Sequence, residues 1–117
     1  MAKIGLIVRG DNFCYKSWDF ILKLSEVAQA NGHETQIFSM MSGIYYLLQP
    51  KEKKDEPSPH RLRIEKIMDR GTKISIFGIS AQERGFEGSK PFIDGVKVVS
   101  MADLANMVGT CDRVITI

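Results

Sequence analysis

The chain has 117 residues, 44% hydrophobic and 26% charged, with a formal net charge of +2. That length suits one domain burying about 65% of the surface its unfolded chain exposes, and so small a charge makes no field for nucleic acid or a membrane surface. The first apolar run ends at Val8 without a small-residue cleavage pattern, far short of the ~20 residues a membrane span needs. A cytoplasmic location is therefore expected, with Cys14 and Cys111 as thiols rather than a bridge. Two cysteines and two histidines at unrelated spacings make no metal site, and no cofactor is expected.

Ile4, Leu6, Ile7 and Val8 read as a strand buried on both faces, the pattern of a parallel sheet. From Ser17 to Asn31 the period becomes helical: Phe20, Ile21, Leu24, Val27 and Ala28 form the apolar side, Lys16, Asp19, Lys23 and Glu26 a polar stripe, and Gly32 closes the helix. "HETQIFSM" supplies a second strand ending near Ser39, and "SGIYYLL" a short apolar helix from Ser42. In "QPKEKKDEPSPH" three lysines balance three acids and the prolines forbid regular structure, so 51–60 reads as a solvated surface loop.

Ser58 before Pro59 is a capping residue with proline at the first helical position, and the helix carries Leu62, Ile64, Ile67 and Met68 until Gly71. Lys73 to Phe77 is the third strand, followed by a short helix from Ser80 through Arg84 and the turn "GFEGSKPFIDG". Val96 to Val99 is the fourth strand, Ser100 caps a helix from Met101 to Thr110, and "RVITI" closes the chain. Five strands alternating with helices predict a three-layer α/β/α sandwich on a mainly parallel five-stranded sheet, residues 1–117 forming one domain.

The order and spacing of several segments resemble the DsrE/DsrF-like family, which includes subunits of bacterial sulfur-relay complexes. The segments are "KIGLIVRGD", "ANGHETQIFSM", "SGIYYLL", the "RG" of "SAQERGF", "FIDGVKVVSMADLANMV" and "CDRVITI". The likeness covers nearly the whole chain apart from the 51–60 loop. It implies the five-stranded parallel sheet, assembly into trimers or hexamers and, in the sulfur-relay members, a persulfide-bearing cysteine just after strand three, in a pattern like "CGxC…RG" or "C…RRG". Counted back from Arg84 and Gly85, those cysteine positions fall on Phe77 and Ser80. Neither side chain can carry a persulfide.

Each candidate residue also has an ordinary reading. Ser80 and Glu83 have the S-x-x-E spacing of a capping box, although the helix start after Gly78 could hold an anion. Cys14, near Arg9 and Lys16, either packs between Phe13 and Trp18 or has a lowered pKa and takes over the sulfur chemistry. Cys111 reads as core packing. Arg84 either orients a ligand, as the resemblance implies, or binds the last carbonyls of its own helix. Met40, Met41, Tyr45, Tyr46, Leu47 and Leu48 exceed what a small core can bury, so part of this stretch, with Trp18 and Leu22, is expected at a subunit interface.

The resulting expectation is a non-catalytic homo-oligomeric binding or accessory module. Gly10, Asp11, Gly78, Ser80 and Arg84 would surround a small anionic or sulfur-bearing ligand, and a sulfur-relay protein would be the partner. The alternative is a sulfur carrier or sulfurtransferase with Cys14 as the catalytic thiol. A nucleotide or flavin binder comes third, on fold analogy alone, because no G-x-G-x-x-G or Walker pattern exists in the chain.

Overall fold

The computed structural model describes residues 1–10, 14–52 and 55–117, with the side chains of all of these except Cys14 and Tyr15. Strands β1 (Lys3–Val8), β2 (Glu34–Ser39), β3 (Lys73–Phe77), β4 (Lys97–Val99) and β5 (Arg113–Thr116) form one sheet in the order β4-β3-β2-β1-β5. Every pairing is parallel, with Leu6 opposite Ile37, Ile37 opposite Ile74, and Ile76 opposite Val98. The helices are α1 (Cys14–Ala30), α2 (Pro59–Asp69), α3 (Gly78–Glu83) and α4 (Met101–Thr110), with a 3-10 segment at Met41–Leu47. No helix among the described residues is long and apolar enough to cross a membrane.

Alternate strand residues point to opposite faces, and the two faces are covered unequally. Leu6, Val8, Ile37, Ile74 and Ile76 pack against Trp18, Ile21 and Leu22 of α1, Ile64 and Ile67 of α2 and Ala81 of α3. On the other face a small cluster of Phe38, Phe77 and Met107 is completed by Ile7, Val99, Leu104 and Cys111, and the helix there is α4. Each large side chain fully removed from water contributes about 1.5–3 kcal/mol, so the first face holds most of the stability.

Two predicted caps are present. Ser58 Oγ accepts from the Arg61 amide with Pro59 as the first helical residue, and Ser100 and Asp103 form the capping box of α4. Of the expected 51–60 loop, residues 51, 52 and 55–57 are exposed, Glu52 pairs with the Arg61 guanidinium and accepts from the Ser58 amide at 3.1 Å, and Pro59 and His60 already belong to α2, because proline suits the first helical position. Lys53 and Lys54 lie outside the described residues.

Helix α1 corrects the expected apolar stripe. Its buried arc runs through Trp18, Ile21, Leu22, Ser25 and Ala28, while Phe20 and Val27 are exposed. Trp18 sets this rotation: its indole Nε1–H donates to the Gly43 carbonyl at 2.8 Å and its ring stacks on Tyr46. Trp18, Leu22 and Leu47 are therefore core, and cannot belong to a subunit interface.

Candidate functional site

Helix α3 leaves β3 toward the densely covered face, whereas α4 leaves the adjacent β4 toward the other. Successive connections that part to opposite sides open a crevice beyond the strand ends, the place where ligands of open α/β sheets bind. Here the crevice is a groove of about 500 Å³ between the start of α3 and the start of α4.

Phe77, the last residue of β3, floors it. The ring is 7% exposed and packs at 6.0 Å from Phe38 and against Met107. Gly78 begins α3 directly, and its backbone lies so close to β4 that a Cβ would stand 3.2 Å from the Val99 carbonyl oxygen. Exposed Ile79 and Met101 form the rims. Asp103 closes one end; its Oδ2 accepts from the Ser100 amide and hydroxyl, both at 3.0 Å, and these bonds hold its carboxyl below the usual range.

Of the five expected ligand-binding residues, Gly78 lines this groove. Ser80 does not, and it caps nothing: α3 begins two residues earlier, at Gly78, where the close approach to β4 leaves little room for a side chain. The hydroxyl is buried and accepts instead from the Met41 amide at 2.8 Å, so the expected capping box with Glu83 is replaced by a tie to the 3-10 segment. Met41 has φ +54°, a left-handed conformation a non-glycine residue adopts only with support from its surroundings.

Arg84 donates from Nη1 to the Ser80 carbonyl at 3.1 Å, and its guanidinium lies 5.9 Å from the Tyr45 ring centroid. That is the ordinary role of a cation at a helix end, and it points the charge away from the groove. Gly10, with φ +69°, crosses Gly43 so tightly that a Cβ would come within 2.5 Å of the Gly43 amide nitrogen. This crossing accounts for a glycine at the position. Asp11 lies outside the described residues, as does the Cys14 side chain, although the backbone places Cys14 at the start of α1.

Cys111 is half-buried at the far end of α4 against Gly5, and burial pushes its thiol pKa up. Ile79, Gln82, Val98 and Met101 line the groove without having been singled out from the sequence. The available signal was an apolar residue in the first turn of both α3 and α4, where solvated helix starts usually carry polar ones.

Comparison with known proteins gives a consistent result. A family model described as the DsrE/DsrF-like family matches residues 2–117. Uncharacterized protein MK0008 of Methanopyrus kandleri is 30% identical over 95 residues, covering 80% of this chain and 76% of that protein. Among solved structures, the ychN protein from E. coli superimposes with a TM-score of 0.78 at 20% identity, and MTH1491 from Methanobacterium thermoautotrophicum with 0.79 at 11% identity, each over 100% of both chains. At these identities the two structures establish the shared fold.

Proposed function

This chain belongs to the DsrE/DsrF-like family, and on that premise we propose that it is a cytoplasmic, non-catalytic, homo-oligomeric binding or accessory module related to sulfur-relay subunits. The observation that carries the reading is the state of the two positions where the resemblance puts the reactive thiols. Phe77 is packed into the Phe38–Met107 cluster and Ser80 is engaged by the Met41 amide. Both positions thus have structural roles that need no sulfur nucleophile. Support for self-association comes from Met41, Tyr45 and Val108, large apolar residues exposed on this chain outside the groove lining.

One observation favours a second reading, a sulfur carrier using Cys14. The residue opens the 17-residue helix α1, and a helix start lowers a thiol pKa. Exposure to glutathione persulfide separates the readings: sulfane sulfur would pass to a Cys14 thiolate as glutathione thiolate departs, and intact mass would rise by one sulfur. The accessory reading expects no such gain.

A further inference from the structure

We propose that the groove between α3 and α4 binds a small, neutral, largely apolar molecule bearing one N–H or O–H donor. The inference rests on the reading above in one respect, that Phe77 is there to pack and to floor the groove rather than to react. Three observations lead to it.

The first is position, at the point where the connections after β3 and β4 diverge. The second is size and lining: about 500 Å³ falls within the range of small-molecule sites, and an apolar side made by Phe77, Ile79, Val98, Val99 and Met101 stands beside a polar one made by Gln82, Ser100 and Asp103. The third is charge. Asp103 is the charged side chain on the lining, with no cation among the described residues that form it. Arg84, the basic residue expected to hold an anion, is turned to the Ser80 carbonyl and the Tyr45 ring. An anion entering here would meet a carboxylate and no basic side chain, which weighs against the expected anionic ligand. A neutral donor is better matched: both Ser100 bonds end on Oδ2 of Asp103, which leaves Oδ1 of this exposed carboxylate without a hydrogen bond among the described residues.

The test uses the full chain, ¹⁵N-labelled, with indole and indole-3-carboxylate as probes followed by amide shifts. Indole should produce saturable shifts confined to Gly78, Ile79, Gln82 and Met101. Indole-3-carboxylate should bind about tenfold more weakly or worse. Met101→Ser and Ile79→Ser, both at exposed positions that leave the core alone, should each weaken indole several-fold. Asp103→Asn keeps an acceptor for Ser100 and removes the charge, so it should narrow the difference between the two probes. Equal binding of the two, shifts scattered over exposed apolar residues such as Phe20 and Val27, or no saturation at millimolar indole would overturn the proposal. The last outcome does so whether the groove is too shallow or covered by a second copy. None of these results depends on persulfide transfer, so the groove and the accessory reading can fail separately.

Discussion

The hydroxyl of Ser80 accepts a 2.8 Å hydrogen bond from the backbone amide of Met41, joining the first turn of α3 to the first residue of the 3-10 segment. Met41 is held at φ +54°, so this bond supports a backbone conformation that would otherwise relax. Ser80→Ala should lower stability by about 1 kcal/mol, the usual cost of leaving such an amide unpaired in a partly wet site. Urea denaturation measures it, and an unchanged midpoint would mean that the contact contributes nothing.

His60 provides a pH dependence. Its ring sits 4.0 Å from the Tyr46 ring, which stacks on Trp18. Burial lowers the His60 pKa below 6.5, offset in part by a hydrogen bond to the Tyr46 backbone. Below pH ~6.5 the unfolded chain therefore takes up the proton first, and stability present above that pH falls as pH drops toward the folded pKa. The denaturation midpoint, followed by the fluorescence of Trp18, the sole tryptophan, should decrease as the pH falls through about 6.5 and below. His60→Gln should flatten that slope. The lowered pKa values of Asp19, Glu52 and Asp103 act at more acidic pH and do not confuse the window.

Cys111 should be a slow thiol. Its raised pKa, caused first by burial, leaves less thiolate at neutral pH. In a Cys14→Ser variant, labelling by a disulfide reagent should run well below the rate of a free cysteine and recover that rate in denaturant. Fast native labelling would contradict the packing described for the end of α4.

Self-association should be visible by light scattering as a species larger than a monomer. Val108→Lys places charge on the exposed side of α4, outside the groove, without touching the core, and should shift the population toward monomer. A wild-type chain that remains monomeric at working concentration would remove the homo-oligomer from the account.

Local chemistry was readable in advance, and long-range geometry was not. The Ser58–Pro59 start and the Ser100–Asp103 box follow from neighbours within one turn, and both formed. Ser80 and Glu83 have the same spacing as a box, yet α3 begins earlier, at Gly78, and the Met41 amide donates to the Ser80 hydroxyl. Trp18 and Leu22 looked spare because their burial depends on how α1 is rotated, which a bond to Gly43 decides across 25 positions of sequence. The groove itself depends on strand order and on which face each helix takes, and no local pattern carries that.

The most direct measurement is sulfur uptake by the native chain and by its Cys14→Ser and Cys111→Ser variants, read by intact mass after exposure to glutathione persulfide. The account predicts that wild type gains no more sulfur than Cys14→Ser does. A stoichiometric gain of one sulfur that disappears in Cys14→Ser and persists in Cys111→Ser would contradict it, and would make this chain a sulfur carrier.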